Sequence, residues 1–276
     1  MINVQRETFL FVKPFRVALV CLTMAVTAQA QVQDTISTKS PLFVGKDLLL
    51  LGAFTAGTAL VAPLDLKVAN RLQDSATQAS RFLHTAATGF RLLGDPGSFV
   101  TGTAIYLIGR ADGSRRAQAL GLHSVEAILI ADILGGGIKM VTGRQRPFVD
   151  VKTPDNFQLW RGFKGDQWRS FPSGHTITAF AFASTLTRES QFWWPHATWY
   201  VGTVFYGGAS LVGLSRIYNN QHWASDVMAG AAIGTLVGIK VVKYTHSHPA
   251  NHLDQTLIKG KSSAIQINPV LFSIQF

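Results

Sequence analysis

The sequence predicts an all-α protein in which about six core helices form a bundle with a charged site at one end. Apolar runs of helical length recur along the chain, and only 14% of its 276 residues are charged. The charged and small residues gather in three clusters where apolar runs end. Hydrophobic residues make up 47% of the chain and mean hydropathy is +0.20, values between those of a soluble globule and a many-span membrane protein.

The first thirty residues have the pattern of a secretory signal peptide. Basic residues precede a short apolar core and a small-x-small cleavage site: Arg6, Lys13 and Arg16, then residues 17–26, then Ala28-Gln29-Ala30. We therefore expect export, with residues 31–47 as a linker or arm. An uncleaved anchor is the alternative, although the core is short for a bilayer that needs about 20 residues. The only cysteine, Cys21, lies in this segment, so a cleaved chain has no disulfide.

Apolar periodicity predicts the elements that follow, within one helical domain over residues 48–248. Core helices are expected over 48–64, 99–109, 117–140, 176–186, 198–214 and 223–244. Residues 65–90 have apolar positions at helical spacing and predict an amphipathic helix, and the Gly-Asp-Pro-Gly sequence within 93–98 predicts a turn. The tail, 249–276, changes character. Its last part, Ser262–Phe276, alternates partly and predicts an edge strand or an extended arm.

Three clusters of ionisable and small residues carry the chemistry. They read K-M-V-T-G-R-Q-R-P, F-P-S-G-H-T and S-R-I-Y-N-N-Q-H-W-A-S-D, and their residues of interest are Lys139, Arg146 and Pro147; Pro172, Ser173, Gly174 and His175; and Ser215, Arg216, His222 and Asp226. The helix over 117–140 ends at the first cluster, the next begins at the second, and the helix over 198–214 ends at the third. Antiparallel neighbours therefore bring all three clusters to one end of the bundle.

The residue types in these clusters suit a tetrahedral oxyanion such as phosphate. Lys139, Arg146 and Arg216 supply permanent positive charge and many N–H donors. Ser173 and Gly174 precede an apolar run, so they lie at a predicted helix N-terminus, which also favours an anion.

The histidines supply the reactive groups. His222 and Asp226 are four residues apart, a spacing that lets the carboxylate hold one imidazole nitrogen and leaves the other as nucleophile or base. His175 remains as a proton donor. Taken singly, such a pair is often a surface pair worth about 0.3 kcal/mol, and a cation at a helix end is often only solvated. The three clusters together contain three cations, two histidines and a carboxylate at these spacings, and this combination favours a functional site.

The three clusters resemble the signature of the type 2 phosphatidic acid phosphatase and vanadium haloperoxidase superfamily, K-x6-R-P, P-S-G-H and S-R-x5-H-x3-D, without a substitution. The resemblance implies that His222 attacks phosphorus, that Asp226 orients His222 and that His175 protonates the leaving oxygen. It also implies that phosphoryl oxygens are held by Lys139, Arg146, Ser173, Gly174 and Arg216. No metal and no cofactor are implied for this reaction.

The expected function is that of a metal-independent phosphatase acting on a phosphomonoester or pyrophosphate, with a lipid as the favoured substrate. Three alternatives stay open: a periplasmic acid phosphatase for soluble esters, a vanadate-dependent haloperoxidase, and a non-catalytic envelope protein that binds anionic lipid. The presence of two histidines argues against the last. A net charge of +10 also suits nucleic acid, but the basic residues are dispersed, with no run longer than Arg115-Arg116, so we expect no nucleic-acid partner.

The expected location is the periplasm or the inner membrane, with the active site on the periplasmic side. Residues 148–170 form a long loop, which we expect to choose the substrate. Trp193, Trp194 and Trp199, around Pro195, are expected to lie at a membrane interface, with a packed corner as the alternative. The number of membrane crossings conflicts with this location. If the signal peptide is cleaved and the helices that begin at residues 48, 99 and 117 all cross the membrane, the active site lies in the cytoplasm. Either residues 99–109 do not cross, or the protein is a periplasmic bundle that does not span the membrane.

Overall fold

A computed structural model of the protein describes residues 41–258. The predicted signal peptide, the arm as far as residue 40 and the predicted terminal strand, Ser262–Phe276, lie outside this range. We number the helices in chain order: α1 Gly45–Val61, α2 Asp65–Leu72, α3 Ser75–Gln78, α4 Arg81–Leu92, α5 Ser98–Asp112, α6 Arg115–Thr142, α7 Gly174–Trp193, α8 Thr198–Tyr218, α9 Ala224–Ser247 and α10 His252–Leu257.

The described residues confirm the all-α prediction. The six predicted core helices correspond to α1, α5, α6, α7, α8 and α9. The segment 65–90 differs from its prediction, because it folds as three short helices, α2 to α4, instead of one amphipathic helix. The predicted turn over 93–98 is a wide helical turn, Leu93–Gly97, in which Asp95 leaves the helical conformation with φ −143° and ψ 121°.

Local sequence explains where α6 begins and ends. The Ser114 Oγ accepts a hydrogen bond from the backbone N–H of Ala117 (3.3 Å), which caps the helix N-terminus. Gly143 follows the last turn with φ +54°, a left-handed conformation that glycine adopts without a steric cost. A Cβ at this position would also overlap the carbonyl oxygen of Gln158. The chain therefore turns sharply at the end of α6, directly before Arg144.

Helix α7 is the centre of the bundle, since every residue from Thr176 to Ser190 is buried. It packs closely on α9 because glycine recurs every fourth residue on the facing side, at Gly230, Gly234 and Gly238. A Cβ at Gly230 would lie 2.7 Å from the Ser173 carbonyl oxygen, and one at Gly234 would overlap the carbonyl oxygen of Ile177. Small residues at this spacing allow two helix backbones to approach each other.

The helices give the bundle two distinct ends. Helices α6 and α8 run towards the end where the three clusters lie, whereas α7 and α9 run away from it. Helix α1 begins at the opposite end, because Asp47 in its first turn pairs with Lys240 (2.5 Å) near the end of α9. It leads to Asp65, which lies at the cluster end beside Ser225.

Two stretches in the described residues are long and apolar enough to cross a membrane by length and composition, Gly45–Leu72 and Ala224–Ser247. They differ in burial. Most of the first is exposed on the outside of the bundle, whereas most of the second is buried between other helices. The second therefore also fits the core helix of a bundle, while most of the first is not covered by other parts of residues 41–258.

We expect Gly234→Ala to destabilise the protein, because its methyl group overlaps the Ile177 carbonyl oxygen and pushes α7 and α9 apart. The expected loss is about 1–3 kcal/mol, visible as a lower midpoint of thermal unfolding in detergent. The matched control is Gly208→Ala in α8, where a Cβ meets no atom within 4 Å; it should be neutral or slightly stabilising, since alanine is the better helix former. Equal midpoints for the two variants would contradict the close approach of α7 and α9.

Candidate active site

The structure brings the three sequence clusters into contact at one end of the bundle. The Lys139 ammonium, at the end of α6, donates to the carbonyl oxygen of Pro172 (2.8 Å) in the second cluster. The backbone N–H of Ser173 donates to the carbonyl oxygen of Asp226 (3.0 Å) in the third. All the predicted site residues lie within or beside this junction, at the ends of α6 to α9.

Two of the three cations are held by the loop between α6 and α7. Lys139 also donates to the carbonyl oxygen of Arg169 (3.1 Å). The guanidinium of Arg146 donates to the carboxylate of Asp166 (2.8 Å) and to the side-chain oxygen of Gln221 (2.6 Å). These contacts fix both positive charges in place before any anion arrives, so little reorganisation is needed when one binds.

Arg216 is the third cation, and its surroundings leave a donor unused. Its side chain is 6% exposed, yet its Nε–H finds no hydrogen-bond acceptor among residues 41–258. An unsatisfied buried donor is costly, and an anion in the junction is the natural partner for a guanidinium N–H. This orphaned donor is the clearest structural sign of an anion site.

His222 is presented as a neutral imidazole with one nitrogen available. It lies in the loop between α8 and α9 and is 2% exposed. Its Nδ1 lies 2.7 Å from the carbonyl oxygen of Ser170. A carbonyl can only accept a hydrogen bond, so Nδ1 carries the proton and Nε2 keeps its lone pair. Burial lowers the pKa of His222 to about 3, because the charged form is poorly solvated there.

Asp226 supports His222 less directly than the four-residue spacing suggests. The two are not on one helix, since His222 precedes α9 and Asp226 lies in its first turn. The carboxylate is 3.7 Å from the His222 Nδ1, beyond hydrogen-bond distance. It accepts instead from the Ser170 hydroxyl (2.5 Å), the Trp223 backbone N–H (2.8 Å) and the Arg144 guanidinium (2.5 Å). Asp226 therefore fixes Ser170, and the Ser170 carbonyl fixes His222.

The second cluster forms the first turn of α7. Ser173 is the residue before the helix, and its hydroxyl accepts from the Thr176 hydroxyl (2.9 Å). Gly174 lies beside Lys139, whose ammonium nitrogen would be 3.8 Å from a Cβ at that position. His175 follows, half-buried. The turn Leu93–Gly97 packs on it, since a Cβ at Gly94 would lie 3.4 Å from the His175 carbonyl oxygen.

Sequence reasoning missed the residues that hold the site together. Arg144 is part of the first cluster but was given no role, and the structure buries it between Asp226 and Asp65, whose carboxylate lies 2.7 Å from the Arg144 Nη2. Others that were missed are Ser170, Asp166, Gln221 and Arg91, a further cation on α4 whose charge acts on His175 and Arg216. The only signal for Arg144 was its place between Gly143 and Gln145 in a charged motif, and nothing in the sequence identified its partners.

The fold and the site together define a class: a helical bundle whose helix ends hold an oxyanion site beside an unprotonated histidine nitrogen. Residues 120–249 match the family model described as the PAP2 superfamily. This match, over just under half of the chain, confirms the resemblance seen in the three motifs.

Individual relatives share sequence with the chain, and one solved structure shares its fold. Over 74 residues the chain is 50% identical to a lipid A 1-phosphatase of Porphyromonas gingivalis, a stretch that covers 27% of this chain and 16% of that protein. Over 143 residues it is 31% identical to an undecaprenyl-diphosphatase of Sulfolobus acidocaldarius, covering 52% and 64%. The chain thus spans less than two thirds of either relative.

The structural comparison extends beyond the family match. The crystal structure of a transmembrane PAP2-type phosphatidylglycerolphosphate phosphatase from Bacillus subtilis aligns with a TM-score of 0.52 at 20% identity. The alignment covers 74% of this chain and 97% of that one. At this level of identity the comparison supports the fold, and it includes helices that precede residue 120.

Proposed function

We propose that the protein is a metal-independent phosphatase that hydrolyses a phosphomonoester or pyrophosphate of a lipid through a phosphohistidine. The observation that carries the proposal is the combination of a neutral, Nδ1-protonated His222 with the orphaned donor of buried Arg216. A free imidazole nitrogen is a nucleophile, and an unpaired buried guanidinium N–H attracts the anion that this nucleophile attacks.

In the proposed reaction the His222 Nε2 attacks phosphorus and forms an N–P bond while the P–O bond to the leaving group breaks. His175 lies half-buried among cations, including Arg216 and Lys139, so the negative charge of the bound phosphate is what allows it to hold a proton. It gives this proton to the leaving oxygen, so the alcohol or phosphate departs with that oxygen protonated. Water then attacks phosphorus, loses a proton to His175 and displaces His222, which releases inorganic phosphate. The Nδ1–H bond to the Ser170 carbonyl stabilises the positive charge that develops on His222 when Nε2 becomes bonded.

The positive groups serve the transition state. Lys139, Arg146 and Arg216 face negative charge that spreads over the equatorial phosphoryl oxygens, and fixed donors in a water-poor site stabilise such charge strongly. The N–H groups at the start of α7, after Ser173, add donors to the same anion. In this mechanism the two histidines carry out nucleophilic attack and proton transfer. The three cations and the helix N-terminus stabilise the charge on the phosphoryl oxygens.

A lipid substrate is favoured by the loop over residues 148–170. Its outer surface carries large apolar side chains that face solvent, among them Leu159, Trp160 and Phe163, which are 70%, 61% and 64% exposed. Trp160 and Phe163 stack on each other with ring centroids 6.3 Å apart. Exposed aromatic groups beside a phosphate site suit the acyl or prenyl chain of a lipid. The similarity to a lipid A 1-phosphatase and an undecaprenyl-diphosphatase also supports a lipid.

We further propose that the bundle spans a membrane. The outward faces of α1, α5, α6 and α8 are rich in exposed apolar side chains, including Leu48, Leu60, Leu107, Ile133 and Val204. Such a surface is unfavourable in water and expected in lipid. Exposed aromatic side chains lie at both ends of the bundle, Trp160 and Phe163 at the active-site end and Trp194, Trp199 and Tyr200 at the other. Aromatic belts at two levels are typical of membrane interfaces.

The active-site end is proposed to face the periplasm, and the path of α1 constrains how this can arise. Since α1 begins at the opposite end, a crossing by α1 puts the chain before Gly45 on the cytoplasmic side. A cleaved export signal puts it on the periplasmic side. The short helix α5 does not resolve the conflict, because it packs antiparallel on the first half of α6, with Gly109 against Gln118 and Gly102 against Ser124. It therefore only returns the chain to the end of the bundle where α6 begins. Periplasmic catalysis by a spanning bundle therefore requires that the N-terminal segment is not exported.

Trapping the intermediate tests the mechanism. Purified protein is mixed with a radiolabelled lipid phosphate and quenched in alkali, which preserves phosphohistidine. We expect label on the wild type and none on His222→Ala, because the N–P bond cannot form without the imidazole. The matched control is His84→Ala, an exposed histidine on α4, which should label like the wild type. Equal labelling of His222→Ala and the wild type would overturn the assignment of the nucleophile.

The same assay gives a pH prediction. The pKa of His222 is lowered to about 3, against an ordinary value of about 6.5, so His222 stays unprotonated as pH falls from 8 to 5. Labelling in a single turnover should therefore show no acid limb near pH 6.5, and loss through protonation of His222 should begin only as pH approaches about 3. If protonation of His222 halved the labelling close to pH 6.5, this result would contradict the buried environment of His222.

The loop prediction separates lipid from soluble substrates. Trp160→Ala combined with Phe163→Ala should raise KM for a lipid phosphate in mixed micelles about tenfold, which corresponds to about 1.4 kcal/mol of lost apolar contact. Hydrolysis of p-nitrophenyl phosphate should not change. The control pair is Trp199→Ala with Tyr200→Ala, equally exposed but at the other end of the bundle, and it should leave KM unchanged. If the loop variant loses activity equally on both substrates, the loop does not determine specificity for the lipid.

Cysteine labelling tests the orientation, and the chain offers a simple background because Cys21 is the only cysteine. In Cys21→Ser protein, single cysteines replace Lys164 at the active-site end and His196 at the other, both exposed. We expect a membrane-impermeant maleimide on spheroplasts to label Lys164→Cys alone, because only that end faces the periplasm. Labelling of His196→Cys alone would place the active site in the cytoplasm, and labelling of both would contradict a spanning bundle.

A further inference from the structure

A second group of chemistry-bearing side chains lies at the end of the bundle opposite to the candidate active site. His123 is 16 residues before Lys139 on α6, Glu189 is 14 residues after His175 on α7, and His246 is 20 residues after Asp226 on α9. At about 1.5 Å per residue these separations are about 20–30 Å. None of the three residues takes part in the proposed phosphatase reaction.

The side chains of His123 and His246 converge on the carboxylate of Glu189, which is fully inaccessible to solvent. One of its oxygens lies 2.5 Å from the His123 Nδ1, and the other lies 3.0 Å from the His246 Nε2. Each of the three residues offers one potential ligand atom, and these three atoms all lie within 4.8 Å of one another. Ligands of a tetrahedral ion, at about 2.0–2.2 Å from the metal, are themselves separated by somewhat more than 3 Å. Small side-chain rotations therefore suffice to admit an ion.

Surrounding residues orient the two imidazoles as ligands. The carboxylate of Asp254 lies 3.2 Å from the other nitrogen of His123, Nε2, an arrangement that fixes the tautomer and raises the basicity of a metal-binding histidine. Asp254 is held in turn by the Asn251 side-chain amide (2.8 Å). The ring of His246 stacks on Phe192, with centroids 3.8 Å apart and planes within 10°.

A cavity of about 330 Å³ opens directly onto this group. His123, His246 and Asp254 form part of its wall, together with Arg115, Arg116 and Trp193. The cavity reaches the two imidazoles, and the carboxylate of Glu189 lies directly behind them. The cavity also provides room for a water molecule, which would complete a coordination shell that has three protein ligands.

The geometry points to a Zn²⁺ site formed by His123, Glu189 and His246, with Asp254 as the carboxylate that orients His123. Two imidazoles and one carboxylate suit zinc, whereas Mg²⁺ and Ca²⁺ prefer oxygen ligands alone. On binding, the proton shared by His123 and Glu189 leaves to solvent, and the His246 proton moves to Nδ1 or is already there. The ion replaces the positive charge that this proton supplied to the two carboxylates. This inference does not rest on the proposed phosphatase activity.

Such an ion would join α6, α7 and α9 at the end of the bundle opposite to the candidate active site. Through Asp254 it would also hold α10 against the bundle. The site lies at the far side of the proposed membrane from the phosphatase centre, so its occupancy would follow the metal content of the other compartment.

Metal binding to the full-length protein tests the inference. The chain is purified in detergent without a polyhistidine tag, stripped with a chelator, and titrated with Zn²⁺ in competition with a fluorescent zinc indicator. We expect one tightly bound Zn²⁺ per wild-type chain. Glu189→Gln and His246→Ala should lose this site, and Asp254→Asn should bind about 10–100-fold more weakly, as is usual when the carboxylate behind a metal-binding histidine is removed.

Two controls separate this site from other histidines. His248→Ala removes an exposed histidine two residues along the chain, and His222→Ala removes the candidate nucleophile; both should keep one Zn²⁺ with wild-type affinity. Because Glu189→Gln could fail to fold, the wild-type chain is also loaded with Co²⁺, whose visible absorption reports a tetrahedral nitrogen and oxygen site. The inference is wrong if the wild-type chain takes up no Zn²⁺ in the titration, or if His246→Ala binds as the wild type does.

Discussion

The candidate active site depends on one buried ionic interaction, in which the guanidinium of Arg144 lies between the carboxylates of Asp65 and Asp226. All three side chains are almost completely inaccessible to solvent. Removing one partner from such a group leaves an uncompensated buried charge and costs about 3–5 kcal/mol. Arg144 belongs to the loop after α6, Asp65 begins α2 and Asp226 begins α9, so the interaction fixes three separate parts of the chain against one another. Ser225 completes it through hydrogen bonds to Asp65 and Arg144.

The orientation of His222 follows from this interaction in two further contacts. Asp226, fixed by Arg144, accepts from the Ser170 hydroxyl, and the Ser170 carbonyl accepts from His222. The carboxylate lies 3.7 Å from the His222 Nδ1 and makes no direct hydrogen bond to it, and it still determines, through Ser170, which imidazole nitrogen carries the proton. A carboxylate bonded directly to His222 would favour the protonated imidazole. The Ser170 carbonyl supplies the acceptor for Nδ1–H instead, and burial keeps the imidazole in the neutral form, which is the reactive one.

Sequence alone predicted the helices and the convergence of the three motifs, because apolar runs and fixed spacings are local properties. It could not predict the Arg144 interaction, since Asp65 and Asp226 lie 79 and 82 residues from Arg144 and no local pattern pairs them. The end of α7 shows a second limit. Residues Thr187 to Ser190 are polar, so the helix was predicted to end at Leu186; the structure continues it to Trp193 and buries all four residues. Glu189 pairs with His123 on α6 and His246 on α9, whereas Thr187 and Ser190 donate to backbone carbonyls of α7 itself. Only the tertiary structure reveals the two partners of Glu189.

The loop between α6 and α7 is attached to the reactive groups themselves. Arg169 and Ser170 offer their backbone carbonyls to Lys139 and His222, and Asp166 pairs with Arg146. The loop that carries the exposed aromatic surface is therefore also the scaffold of the nucleophile and of two cations. In the proposed reaction, a lipid chain packed on the exposed aromatic surface would press on the same backbone that orients His222. Contact with the hydrophobic part of a substrate and alignment of the nucleophile would then be coupled through one segment, and a phosphate ester that does not contact the loop would leave that coupling unused.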